Sequence, residues 1–226
     1  MDIPLYSLSV WILPLLIAIT FHEAAHAFVA YKLGDDTAWQ LGRVSFNPIK
    51  HIDPFGTVIL PGVLLLSHSP FLFGYAKPVP VNFGKLNHPR LDMVWVALAG
   101  PAINIILATV VALAFHVLPL VPPAAAKWTA DNLKNAFLIN IVLAIFNMMP
   151  IPPLDGGRVA VGLLPRVLAY PLSRLEPYGM LILLGLLILL PVIGTQLGLN
   201  LDVISSILRT LTGYVISALL FITGNA

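Results

Sequence analysis

The pentapeptide His22-Glu23-Ala24-Ala25-His26 places two imidazoles and a carboxylate inside the apolar run TFHEAAHAFV, residues 20–29. On a helix, positions i and i+4 share a face with Cβ atoms about 5–6 Å apart. That spacing lets His22 and His26 reach one metal ion at Zn–N distances of about 2.0–2.1 Å. Glu23, one residue on, is turned toward the open coordination position. A water there, its pKa lowered to about 7 by the ion, can give its proton to a carboxylate acting as general base. The chain holds six His and two Glu, so half of its glutamate stands in this motif. An ionisable group inside a membrane reads as functional by default. The competing reading has both histidines hydrogen-bonded to neighbouring helices, with Glu23 as counter-charge.

A third protein ligand would complete the site. Metzincin spacing asks for His at position 32, where Lys32 stands, and the other glutamate, Glu176, sits beside a loop proline. Asp155, in NMMPIPPLDGGR at 147–158, is the better carboxylate. It ends an apolar run, follows prolines that break a helix and precedes two glycines that permit close backbone approach. Aspartate is an ordinary zinc ligand. On local grounds Asp155 also suits a plain helix N-cap. His51 and Asp53 in HIDPFG suit loop capping better than a second metal site, and His68, His88 and His116 show no ligand spacing.

The surroundings of these residues read as lipid. Hydrophobic residues make up 58% of the 226 and charged ones 10%, with mean hydropathy +0.93. A soluble domain carries about 25% charged residues, so this chain cannot cover its surface with charge. The net charge of +2 is small and scattered, which argues against nucleic acid. Absence of Cys excludes disulfides and thiolate ligands. MDIPLYSLSV has no positively charged leader and no cleavage site ahead of Trp11, so the first apolar segment reads as retained.

A spanning helix needs about 20 apolar residues. Ile3–Leu33, Phe55–Phe73, Leu91–Leu118, Asn132–Met149 and Tyr178–Ile193 qualify, and Leu201–Thr223 is weaker because Arg209 interrupts it. The expected fold is an all-α polytopic membrane protein, with about five transmembrane helices and one re-entrant or hairpin segment around a membrane-embedded zinc site. Residues 1–226 form one membrane-embedded domain without repeats or a soluble appendage. Gly34–Pro54 and Gly74–Arg90 mix β-formers with turn residues, so short hairpins are expected there.

Lys and Arg cluster as Lys32, Arg43, Lys50, then Lys77, Lys85, Arg90, then Arg158, Arg166, Arg174, which assigns these loops to the cytoplasm. For the first two clusters to share a side, Phe55–Phe73, with Pro61, Gly62 and Pro70, must dip and return; the alternative is a short span. Ligand geometry favours the dip. The histidines lie toward the end of the first span and Asp155 follows the end of Asn132–Met149, so these two helices must run in the same direction. One full crossing, Leu91–Leu118, then lies between them.

FHEAAHAFVA together with FNMMPIPPLDGGR, and LAGPAIN at 98–104 between them, closely resembles the site-2 protease family of intramembrane zinc metalloproteases. The motifs run from Phe21 to Arg158, over half of the chain. The resemblance implies a helical membrane core, one zinc ion, and hydrolysis of peptide bonds in membrane-spanning substrates. Carried over by position, His22, His26 and Asp155 are the zinc ligands and Glu23 the catalytic base. Asn104 and Asn147 match residues linked in the family to the active site or substrate. Their amides suit holding an extended peptide or stabilising an oxyanion, and equally suit interhelical hydrogen bonding. Asn140, two turns before Asn147, reads as packing. No PDZ or nucleotide-sensing domain is present, so the chain resembles a minimal member. The expected location is a prokaryotic inner membrane with the site toward the cytoplasm.

A transmembrane substrate hides its carbonyls in helical bonds and must unwind before attack. The Gly74–Asn82 stretch could offer it a strand edge, or be a plain surface loop. Two other functions fit the same ligands: a non-hydrolytic membrane zinc-binding or transport protein, and an inactive relative that serves as a binding partner. Intact HEAAH and LDG argue against inactivity, and ligands gathered near one side argue against transport.

Overall fold

A computed structural model describes residues 5–59, 63, 77–199 and 201–225. All regular structure among them is helical. In chain order the helices are α1 (Leu5–Lys32), α2 (Thr37–Gln40), α3 (Pro89–Ala114), α4 (Pro123–Asn147), α5 (Asp155–Leu163), α6 (Arg166–Ser173), α7 (Gly179–Leu184), α8 (Leu190–Gln196) and α9 (Val203–Ile222). A π-helical turn, Gly185–Leu189, joins α7 to α8. Both α3 and α4 start on proline, whose fixed φ and missing N–H suit a first helical turn. In α3 the Asp92 carboxylate accepts the His88 N–H at 2.6 Å and closes that turn.

Among the described residues, four stretches are long and apolar enough to cross a membrane: Leu5–Lys32, Pro89–Leu120, Arg166–Gln196 and Val203–Ile222. Large apolar side chains face outward on them, as at Leu113, Leu181, Tyr214 and Phe221, where lipid would replace water. The protein is an all-α polytopic membrane protein. The expected list of spans needs adjusting. Val203–Ile222 qualifies despite Arg209. Helix α4 does not, because Lys127, Asp131, Lys134 and four asparagines dilute its apolar run. Its polar groups are accommodated internally: Asn132, Asn140 and Asn147 each donate to the carbonyl one turn back.

Helices α1, α3 and α4 pack together, with the buried alanines 18, 24, 27 and 30 of α1 allowing close approach. Their directions follow from contacts. Tyr6 meets Asp131 and Val10 meets Asn135, so α1 and α4 are parallel, as ligand geometry requires. His26 meets Val96 while Ala18 meets Asn104, so α3 is antiparallel to α1. Leu33 O accepts the Asn87 N–H at 2.9 Å, so the chain between them leaves and returns at one end of the bundle. The re-entrant course expected for Phe55–Phe73 lies for the most part outside the described residues. Helix α9 closes the far end through Ala108, Ala112, Phe137, Ile141 and Leu219.

The expected hairpin at Gly34–Pro54 is not formed. Side-chain oxygens capture the backbone locally instead: Asp35 accepts from Thr37 N, Asn47 from Ile49 N, and Asp53 from Phe55 N and Gly56 N. Such turns compete directly with strand pairing. In the second expected hairpin, residues 77–82 have no regular structure and pair with no strand among the described residues, and 83–85 form a 3₁₀ turn.

Candidate metal centre

His22 and His26 stand on successive turns of α1, both under 9% exposed, with rings edge to face. Their Nε2 atoms lie 3.0 Å apart. Asp155 arrives from the first residue of α5, and its Oδ2 is 3.2 Å from His22 Nε2 and 3.3 Å from His26 Nε2. Among the described residues this is the one group of three or more His, Asp or Glu arranged to hold a metal ion.

Glycine makes the approach possible. A Cβ on Gly100 of α3 would overlap both imidazoles. A Cβ on Gly156 would overlap the Met148 and Met149 carbonyls, and one on Gly157 the Pro152 backbone. Asp155 can therefore turn back beside the end of α4 only because two glycines follow it. Leu154, not Asp155, stands at the N-cap of α5, and Asp155 is the first helical residue.

Proton placement tests whether a cation fits. His26 Nδ1 is 2.7 Å from Val96 O, and a carbonyl only accepts, so Nδ1 carries the hydrogen. His22 Nδ1 is 2.6 Å from Asn104 Oδ1. Asn104 donates through Nδ2 to Ala18 O and to Asn140 Oδ1, which sets its oxygen toward His22. With Nδ1 as the donor, the neutral form of each ring turns an Nε2 lone pair toward the other ring and toward a carboxylate oxygen. Asp155 Oδ2 is buried and has no hydrogen-bond partner. Such a cluster is balanced by a cation among its acceptor atoms, either a metal ion or a proton on one Nε2. Tetrahedral ligands at about 2.0–2.1 Å from zinc stand about 3.3 Å apart, close to the separations seen. The residues fit zinc.

Glu23 lines the same cavity, of about 450 Å³, together with His22, His26 and Asp155. Its Oε2 accepts the Val79 N–H at 2.8 Å. Val79 belongs to an extended strap fixed on both sides: Lys77 N–H donates to His51 O, Arg43 donates to Lys77 O, and Asn82 N–H donates to fully buried Asp35. No side-chain signal marks this contact, because the donor is backbone; prolines 78 and 80 on either side were its sequence trace.

The two candidate asparagines part company. Asn147 lines the cavity, although its Nδ2 donates to Leu143 O of its own helix. Asn104 is fully buried behind His22, away from the cavity, with its amide hydrogens committed to Ala18 and Asn140. It has no donor left for a substrate or an oxyanion, and its bonds run between helices, as in the second of the two readings open to it. Glu176 pairs with Arg158 at 3.3 Å, and Arg158 also borders the cavity. His51 donates to Ser45 O and His116 to Thr223 O; neither joins a metal group.

The family model described as Peptidase family M50 matches residues 10–133 and 122–190. YwhC of Bacillus subtilis is 39% identical over 82% of this chain and 83% of its own length. Rip2 of Mycolicibacterium smegmatis is 30% identical over 82% of this chain and 70% of its own. Both are provisionally named zinc metalloproteases. RasP of Bacillus licheniformis, named a zinc metalloprotease, is 27% identical over 71% of this chain and 32% of its own length. No solved structure matches. With the family matched across most of its length, the chain belongs to peptidase family M50, the site-2 proteases, and is a membrane zinc metalloprotease.

Proposed function

We propose that His22, His26 and Asp155 hold one zinc ion and that Glu23 is the general base of an endopeptidase acting on transmembrane segments of membrane proteins. The observation that carries this is the convergence of two imidazole Nε2 atoms and a carboxylate oxygen beside Glu23 in one cavity. Bound zinc supplies Lewis acidity and lowers the pKa of water to about 7. The Val79 N–H holds Glu23 Oε2 in place, and the carboxylate takes the proton of the attacking water. Glu23 then returns that proton to the amine released when the peptide C–N bond breaks. Asn147 faces the substrate. Asn104 orients His22 from behind.

The substrate enters unwound, since a helix hides its carbonyls. Residues 77–82, whose Val79 N–H holds Glu23, border its path. Prolines 78 and 80 leave alternate strap residues without N–H groups, so a paired substrate would meet carbonyls there. Crosslinks from a trapped substrate to residues 77–82 support this path, and their absence from an active-site trap counts against it. Residues 1–226 act as one unit in a prokaryotic inner membrane, with the site opening to the cytoplasm, where the three Lys/Arg clusters lie.

Comparing wild type with Glu23→Gln tests the reading. The variant keeps zinc and loses cleavage of a transmembrane peptide. A zinc store or carrier would be unaffected by it, and normal cleavage by the variant would overturn the mechanism.

A further inference from the structure

We propose that Asn140 is a positioning residue for the metal centre, acting through Asn104 on the tautomer of His22. The proposal rests on His22 being a zinc ligand. Asn140 is 2% exposed, in the middle of α4. Its Nδ2 donates to Ala136 O at 2.8 Å, which turns its Oδ1 toward Asn104. That oxygen accepts one Asn104 Nδ2 hydrogen at 2.8 Å, and Ala18 O accepts at 3.2 Å. With its nitrogen so engaged, Asn104 presents Oδ1 to His22 Nδ1 at 2.6 Å.

The chain of bonds thus crosses three helices, from α4 through α3 to α1. It is anchored on the Ala136 and Ala18 carbonyls, which cannot reverse roles. Without Asn140 Oδ1, the longer bond to Ala18 alone opposes inversion of the Asn104 amide. An inverted amide would donate to His22 Nδ1 and move the imidazole proton to Nε2, the atom facing the ion. A protonated Nε2 cannot ligate. His26 differs, because its Nδ1 partner is the Val96 main-chain carbonyl, which has no inverted form. One ligand is therefore oriented by backbone and the other by a pair of invertible amides, and Asn140 sets the sense of that pair.

The test uses full-length protein in detergent, with zinc affinity measured by chelator competition and the cobalt(II) absorption spectrum as a second readout. Removing an outer partner of a metal-bound histidine weakens metal binding by about 10–100-fold. Asn140→Leu should lose at least about tenfold in zinc affinity and shift the cobalt spectrum. Asn140→Asp keeps an acceptor oxygen toward Asn104 and should stay within about threefold of wild type. In an Asn104→Ala background, Asn140→Leu should add less than about twofold, since coupled residues are not additive. Equal losses in the Leu and Asp variants, unchanged affinity in Asn140→Leu, or additive losses in the double variant would each overturn the proposal. His22→Ala separates it from the underlying reading: if that variant binds zinc like wild type, His22 is no ligand and the relay has nothing to position.

Discussion

Near the start of α1, Tyr6 Oη donates to Asp131 at 2.6 Å, Lys127 approaches the same carboxylate at 3.2 Å, and the Trp128 N–H reaches Ser9. Four turns further along the same parallel helix pair stand His22, His26 and, beyond α4, Asp155. Both clusters join α1 to the α4 region, and both mix carboxylate with nitrogen. In the first, every contact pairs a donor with an acceptor, and the groups are exposed. In the second, three groups able to act as acceptors converge, buried, around a space that a cation would take. A cluster that satisfies itself clasps two helices. One left unsatisfied in a low-dielectric setting has affinity to spare for a cation.

That contrast can be broken most sharply by removing a member of the deep cluster. Asp155→Ala or His26→Ala should lose zinc and all measurable cleavage of a transmembrane peptide, as zinc stoichiometry and product analysis would show. Glu23→Gln comes next, with kcat lowered by about 10²–10⁴-fold, the range of general acid–base catalysis, and zinc content unchanged. Gly100→Ala pushes a methyl into both imidazoles. Misplacement on that scale costs roughly 10²-fold in rate, and helicity by circular dichroism should stay near wild type. The smallest effect belongs to the exposed clasp: Tyr6→Phe should leave zinc content unchanged and cleavage within about twofold, since exposed polar pairs contribute little. Loss of zinc in Tyr6→Phe would mean the two ends are not independent.

Legibility in the sequence tracked how local each feature is. His22, Glu23 and His26 could be placed on one helix because their geometry lies within a single turn. Asp155 needed only its glycines and the direction of two helices. For Asn104 the sequence leaves substrate contact and interhelical bonding equally open, because which way a buried amide points depends on partners from two other helices. Asn140 read as packing for the same reason. Helix α4 looked like a span by its apolar half, while its asparagines in fact find partners inside the protein. The turn-rich stretch after α1 was taken for a hairpin, but its Asp and Asn side chains claimed the backbone first.

By itself, the order of residues determined that this chain lives in lipid, that it carries a two-histidine turn suited to zinc, and that Asp155 is its natural third ligand. Those conclusions rest on composition and on contacts within one or two turns, which chain geometry transmits directly. Only the tertiary structure decided which nitrogen of each imidazole keeps its proton, what holds Glu23, and which asparagine meets the cavity. Those depend on hydrogen-bond direction between residues far apart in the chain, 82 positions for His22 with Asn104 and 56 for Glu23 with Val79, and no local pattern encodes the direction of a bond across such a gap.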